Sequence, residues 1–298
     1  MAGSEKCAAC QAPGLQAHFS VAGSAGEQGL IPTTDSFGTA LADIVRCASC
    51  GHMQTSPMPS DAVLETAYED ATSEDYVSEA SGQRETARRV LDVIEHQGTG
   101  RRLADLGCWV GFLLDEAGQR GWAAKGVEPS RFASEFARDE LGLEVLTDDL
   151  FTAPLDPGAF DAVVLGDVVE HLPRPEEALE RIASLLASDG VVAMMLPDAG
   201  SRLARLMGKR WWSVIPTHVQ FFTRKSMRTL LEREGWTVLY IGTQPKIFTV
   251  RYYLGRIGGY APPVAKALIR VAELTRVADK LWGPDFRDRM LVVARRPV

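Results

Sequence analysis

Apolar residues follow two alternating rhythms along most of this chain. From Arg101 onward, short apolar runs alternate with stretches whose apolar positions recur every three to four residues. The runs predict strands over 101–107, 124–128, 143–147, 160–166, 190–196, 236–242 and 289–295. The spaced stretches predict helices over about 111–120, 130–141, 175–187, 199–208 and 223–234. Regular alternation of this kind implies a parallel sheet with crossover helices. Pro175-Glu176-Glu177 suits a first helical turn, with proline early and acids at the positive end of the dipole. Asp189-Gly190 is expected to end that helix and open the fifth strand. About 45 residues separate the last two strands. That segment, 245–288, contains Pro262-Pro263 and the amphipathic stretch Val264–Val271, and reads as a helical insertion whose ends the sheet edge brings together.

Two regions of different texture precede the sheet, which divides the chain into 1–60, 61–98 and 99–298. Residues 1–60 are rich in Gly, Ala, Ser and Pro, show little periodicity and carry four of the five cysteines. Residues 61–98 hold a polar, acidic linker and then a helical pattern through Ala87–Ile94. With 46% apolar and 24% charged residues, the 298-residue chain has the composition of a soluble globular protein with a sizeable core. A net charge of −7 argues against a broad nucleic-acid footprint, and the basic cluster Arg202, Arg205, Lys209 and Arg210 reads as a solvated helix face. No apolar h-region follows Met1 and no apolar run reaches the length of a membrane span. A cytoplasmic compartment with reduced thiols, with no nucleic-acid partner and no membrane span, is the expectation.

In that setting, paired cysteines point to metal. Cys7-x-x-Cys10 and Cys47-x-x-Cys50 are two thiolate hooks, each able to place both sulfurs on one tetrahedral Zn²⁺, and together they would complete a closed, structural site. Two unrelated pairs, or a redox pair, are the alternatives.

The chemistry of the larger region gathers at strand ends. Leu103–Leu113 is an apolar run, a glycine turn (Gly107, Gly111) and an amphipathic start, which suits an adenosine-containing cofactor. Acids end four consecutive strands: Asp105, Glu128, Asp149 and Asp167. Ligands of such sheets bind outside the carboxyl ends of the strands, and an acid after the second strand can accept both ribose hydroxyls. Helix capping is the plain alternative for any one acid, Asp149 above all.

These residues resemble class I S-adenosylmethionine-dependent methyltransferases, over roughly 101–297. Asp105-Leu106-Gly107-Cys108-Trp109-Val110-Gly111 is similar to that family's first motif, with Trp109 where a middle glycine is usual. The resemblance implies an α/β fold with a seven-stranded Rossmann-like sheet, six strands parallel and the last antiparallel, beside a small zinc-ribbon-like region. It implies S-adenosylmethionine contacts from Asp105, Gly107, Cys108, Gly111 and Phe112, a ribose contact from Glu128 next to Pro129, and an adenine contact from Asp149 next to Leu150. Gly166, Asp167 and His171 would border the sulfonium. Cys47–Pro59 resembles the zinc knuckle that precedes a subgroup of these enzymes acting on sugars, polysaccharides and natural products, and the linker through Tyr68 and Tyr76 resembles their active-site cover. Pro216-Thr217-His218 through Thr223 is similar to their His-x-x-x-Phe segment, where a Glu-His pair supplies the base in sugar C-methyltransferases. Here Thr217 replaces the glutamate and His218 stays.

The resemblance therefore implies methyl transfer to a small-molecule or glycan-linked acceptor, with His218 as general base, titrating near neutrality without a large shift. Tyr76 is a second catalytic candidate, and capping of the helix at Thr223 is the structural alternative for His218. Tyr68, Trp211 and Trp212 are candidate pocket walls, the tryptophans equally candidate core. Val250-Arg251-Tyr252-Tyr253 resembles a substrate-side hairpin. Two rivals remain: a nicotinamide-dependent oxidoreductase, which requires a sixth parallel strand and a Gly-x-Gly-x-x-Gly turn, and a non-catalytic zinc-ribbon and cofactor-binding regulatory module.

Overall fold

The computed structural model describes residues 6–23, 37–60, 63–64, 77–97 and 100–297. Tyr68 and Tyr76 lie outside them. The N-terminal segment contributes β1 (Gln16–Phe19), β2 (Asp43–Arg46) and β3 (Met53–Ser56), paired as antiparallel neighbours in that order. Helix α1 (Ala80–Gln97) follows, and its buried Ala87, Val90, Leu91 and Ile94 recur at helical spacing.

The sheet then builds through β4 (Arg102–Leu106), α2 (Phe112–Gln119), β5 (Ala123–Val127), α3 (Arg131–Asp139), β6 (Val145–Leu146) and β7 (Phe160–Gly166). A 3₁₀ turn (Val169–His171), α4 (Pro175–Leu185) and β8 (Leu186–Pro197) come next, followed by α5 (Arg202–Met207), β9 (Gln220–Phe221), α6 (Arg224–Arg233) and β10 (Thr237–Thr243). Between β10 and the last strand lie β11 (Phe248–Thr249), α7 (Val250–Arg256), α8 (Pro262–Leu274) and β12 (Leu281–Trp282). The chain closes with β13 (Arg289–Arg295).

Strand order in the large sheet is β10-β13-β8-β7-β4-β5-β6. Only β13 runs against its neighbours, β8 and β10, so six strands point one way and one the other. That final antiparallel strand is what the resemblance implied and what a nicotinamide-binding sheet lacks. The order reverses between β4 and β7, and the crevice at such a switch point is where ligands of open α/β sheets bind.

Period-two alternation divides the core between the sheet's two faces. Leu103, Ala162, Val164, Val191, Ala193, Leu291 and Val293 pack with α1, α2 and α3. Ala104, Val163, Leu165, Val192, Met194, Met290 and Val292 pack on the other side with α4 and α6, and Cys7, Cys47 and Cys50 join this cluster.

Three expectations need correction. The fourth helix ends at Leu185 and the strand begins at once at Leu186; Asp189-Gly190 lies inside β8, in an irregularity where pairing with β7 slips between Phe160 and Ala162. A continuous apolar run from the helix into the strand hid that junction. The strand expected over 143–147 shortens to two residues at the sheet edge, where only β5 is available to pair. Val250–Tyr253 is helical, because Thr249 caps α7 by accepting from the Tyr252 N–H.

Ile182 is fully buried between α4 and the sheet. Ile182→Ala is expected to cost about 2–5 kcal/mol of stability in urea unfolding, by deletion of packed methyl groups and the void left behind.

Candidate active site

The glycine turn after β4 hangs from the end of β5: the N–H groups of Gly107 and Cys108 both donate to the Val127 carbonyl, at 2.8 and 3.1 Å. Gly107 (φ +80°) has no room for a Cβ, which would sit 2.6 Å from Val168 Cγ2, beyond β7. Glycine here lets the β4 turn close against the β7 end, so the two banks of the crevice meet.

On the bank formed by β4 and β5, Asp105 and Glu128 are both buried. Glu128 accepts from the N–H of Trp109 at 2.8 Å and of Ser130 at 2.9 Å. Two bonds leave the carboxylate further lone pairs, enough to accept two hydroxyls. Burial pushes Glu128 up to about 7 against the pull of those N–H groups, and pushes Asp105 up to about 8 with help from the Glu128 charge. Burial likewise raises the Cys108 thiol well above its ordinary value, and its side chain packs in the core.

Trp109 adopts φ +50°, a backbone region suited to the glycine it replaces. Its ring leans toward Phe132, with centroids 6.4 Å apart, rather than standing alone in the turn. Gly111 caps α2 in the left-handed region, Phe112 is buried at the helix start, and the Arg84 guanidinium lies 5.0 Å over the Phe112 ring. Pro129 is half-buried between Glu128 and the Ser130 cap of α3. Asp149 caps its own turn: Oδ1 accepts from the N–H of Phe151 and Thr152, and Oδ2 from the Thr152 hydroxyl. The adjoining Leu150 belongs to the core. An adenine amino group would have to share an acceptor already engaged by that turn.

The other bank is the end of β7. Gly166 leads into Asp167, which takes φ +57°. Burial opposes its ionisation, but Arg289 and Lys246 grip it from two sides, Lys246 Nζ at 2.6 Å, and hold it well below the usual carboxylate range. Sequence reasoning missed both cations. Arg289 opens β13, and only the reversed direction of that strand brings its first residue to the carboxyl ends of the others.

The 3₁₀ turn brings Glu170 and His171 against His218. The two imidazoles stand edge to face with centroids 4.6 Å apart, and His218 Nε2 lies 4.0 Å from Glu170 Oε1. His171 Nδ1–H donates to the Thr217 carbonyl at 2.9 Å, and His218 Nδ1–H to that of Ser213 at 2.8 Å. Burial, then the neighbouring His171, drives His218 well below its ordinary value, and burial takes His171 down to about 4. The expectation of near-neutral titration for His218 is thus corrected, because amphipathic pattern does not reveal complete burial. Nor does His218 cap α6, since Thr223 and Ser226 cap it reciprocally. Burial and the Asp167 charge lift Glu170 to about 8. Thr217 does replace the neighbouring glutamate, yet a glutamate from another element faces His218 all the same. The adjacency of Glu170 to His171 was the available signal.

The cysteine hooks meet at a distance from this crevice. Cys7 and Cys50 sulfurs are 3.5 Å apart, those of Cys10 and Cys47 3.6 Å, and all four lie within 4.8 Å of one another. Tetrahedral zinc with bonds of about 2.3 Å needs sulfur separations of about 3.8 Å, so the donor set fits. The hooks connect to the site through β9, which pairs with β3 immediately after His218. Trp211 is core, its indole N–H donating to Asp288, while Trp212 is partly buried against Phe286.

A protein-family model described as a methyltransferase domain matches residues 77–241. The chain belongs to the methyltransferase-domain family. Curated relatives include proteins named ubiquinone biosynthesis O-methyltransferase. That from Azoarcus is 34% identical over 110 residues, covering 34% of this chain and 47% of the relative. That from a Neisseria meningitidis serogroup C strain is 31% identical over 101 residues, covering 31% and 42%. This chain therefore spans less than half the length of those two relatives. Among solved structures, a SAM-dependent methyltransferase from Archaeoglobus fulgidus superposes with a TM-score of 0.51 at 19% identity, over 75% of this chain and all of the other. One from Thermotoga maritima, described as a possible histamine N-methyltransferase, gives 0.50 at 18% identity, over 74% and 94%. The fold is that of S-adenosylmethionine-dependent methyltransferases. The family match stops before Lys246 and Arg289 and begins after the cysteine hooks.

With Asp105 and Glu128 raised above the unfolded carboxylate value of about 4, the folded, cofactor-free protein holds protons that the unfolded chain has released. Their contribution to stability is therefore present at low pH and lost as pH climbs through about 7 and 8. A sulfonium cofactor favours the ionised acids, so its affinity is expected to rise over the same interval, with proton release, in isothermal titrations run in buffers of different ionisation heat. Glu128→Gln is expected to weaken that affinity about 5- to 15-fold, as a charge-assisted hydrogen bond worth about 1.5–3 kcal/mol is reduced to a neutral one worth about 0.5–1.5 kcal/mol.

Proposed function

We propose that this chain transfers a methyl group from S-adenosylmethionine to a hydroxyl of a small-molecule or glycan-linked acceptor, and that His218 activates that hydroxyl. The observation that carries the reading is the crevice itself: paired acids suited to a ribose on one bank, and an imidazole-carboxylate cluster on the other. Methyl transfer from a sulfonium is a direct displacement, so the protein must align the nucleophile, exclude water and ease the loss of one proton. Asp105, Gly107, Cys108, Gly111, Phe112, Glu128 and Pro129 would hold the cofactor, with Asp149 and Leu150 at the adenine end. Gly166, Asp167 and His171 would lie toward the sulfonium. Asp167, fixed between two cations, keeps its ionised carboxylate in one orientation, where it can accept from the cofactor's amino group. Tyr76 is retained as a second candidate for the acceptor side.

The curated relatives, named as O-methyltransferases, favour oxygen as the accepting atom. A sugar or natural-product intermediate is the acceptor class that the N-terminal cysteine segment supports. We further assign a structural Zn²⁺ to Cys7, Cys10, Cys47 and Cys50, on the fit of their sulfur separations. Zinc there would brace β3, hence β9, hence His218.

The test is isothermal titration with S-adenosylmethionine, followed by a screen of sugar nucleotides and phenols for a product heavier by one methyl group. No cofactor binding at millimolar ligand overturns the reading. His218→Ala is expected to lower turnover by about 10²- to 10⁴-fold while cofactor affinity stays nearly intact; a matching loss of affinity would show that the residue belongs to the cofactor instead. Cys50→Ser is expected to lose the zinc by elemental analysis, lower Tm and reduce turnover more than cofactor binding. Unchanged metal content would remove the zinc assignment.

A further inference from the structure

Glu170, His171 and His218 form a second cluster with ligand chemistry, remote in character from the four thiolates. All three are buried, at 1, 8 and 7% exposure, and one ligand atom from each lies within 4.8 Å of the others. Two features distinguish the cluster from ordinary polar packing.

The first is how the imidazoles are held. Both Nδ1 atoms face backbone carbonyls, of Thr217 and Ser213. A carbonyl only accepts, so each Nδ1 carries the ring proton and each Nε2 carries the lone pair. Tethering one ring nitrogen to a carbonyl is how proteins orient the other toward a metal.

The second is Glu170. Both its oxygens are buried, and neither has a hydrogen-bond partner among the described residues. Its approach to His218 Nε2, at 4.0 Å, is too long for a hydrogen bond. Lys246 and Arg289 pair with Asp167 and reach Glu170 through space, without a hydrogen bond to it. A buried carboxyl group left without a partner is costly in either protonation state, and two imidazole lone pairs beside it offer no donor. A metal cation that displaces the proton satisfies all three.

We propose that Glu170, His171 and His218 bind a divalent first-row metal ion as a two-histidine, one-carboxylate face, leaving its remaining positions open to water or to the acceptor's hydroxyl oxygen. Nitrogen and carboxylate donors with open positions suit such ions. The inference rests on the methyl-transfer reading and deepens it, by naming how His218 activates the acceptor. Bound to the ion, the hydroxyl becomes more acidic and releases its proton to solvent. The oxygen's electron pair then forms the O–CH₃ bond as the C–S bond breaks, leaving the cofactor as a neutral thioether. His218 serves as a ligand throughout.

The probe is Mn²⁺, which thiolate sites bind poorly, added to the full chain with its zinc in place and followed by the paramagnetic resonance of the free aqua ion. One Mn²⁺ per wild-type chain is expected, with affinity at least tenfold weaker in Glu170→Gln and in His218→Ala. Circular dichroism melts will show that those variants are folded. No stoichiometric Mn²⁺ on the wild-type chain overturns the proposal whatever the variants do, and so does folded Glu170→Gln binding as tightly as wild type. S-adenosylmethionine titration runs in parallel. Cofactor binding without Mn²⁺ binding sinks the metal site and leaves the methyl-transfer reading standing, with His218 as a free base. Loss of both sinks the reading on which the proposal rests.

Discussion

Val219 is held from two directions by its own backbone. Its N–H donates to the Glu170 carbonyl and its carbonyl accepts from the Thr55 N–H, each at 3.0 Å. One residue thus joins the 3₁₀ turn after β7 to the cysteine-bearing segment. The next residue repeats the bridge with its side chain: Gln220 accepts from His52 Nε2 at 2.8 Å and donates to the carbonyls of Leu172 and Pro173. His218 lies one position before this double seam, so its ring can only point where the seam allows. The buried imidazole pair, its facing glutamate and the strand order of the small sheet all follow from that constraint. The hooks are fastened from the far side too, since Arg233 on α6 donates to the carbonyls of Ala8 and Ala9.

Much of the architecture was legible because periodicity reports burial on one face, and the large sheet is buried on both. The alternation of runs and spaced stretches located every strand of that sheet, and the acids at strand ends marked the crevice. What escaped was whatever depends on contacts between distant segments. Nothing about Lys246 or Arg289 in sequence says that both will close on Asp167. The loss of a glutamate at position 217 looked like the loss of a partner for His218, yet Glu170 faces the ring from 48 positions away. The depressed basicity of His218 is likewise a property of its surroundings. Asp149 teaches the reverse lesson, because its turn-capping role is local and capping is the plain alternative that its position offers.

Two non-glycine residues of the large sheet's crevice have positive φ, Trp109 after β4 and Asp167 after β7. They flank the switch point from opposite sides. Such backbone conformations cost free energy and persist where neighbours over-determine them. Trp109 is restrained by its bond to Glu128, and Asp167 by two cations and by its N–H to the Met195 carbonyl at 2.9 Å. Strain concentrated at facing strand ends fits a crevice whose shape is fixed before a ligand arrives.

The feet of the segment between β10 and β13 stand on one anion. Lys246 begins the excursion, Arg289 ends it, and Asp167 pairs with both. The excursion is therefore clamped at its base independently of what it carries above, where α7 and α8 sit with a short β11-β12 pairing. A chain built this way is modular at that point. The upper part can diverge, lengthen or be exchanged for another while its attachment to the crevice stays put.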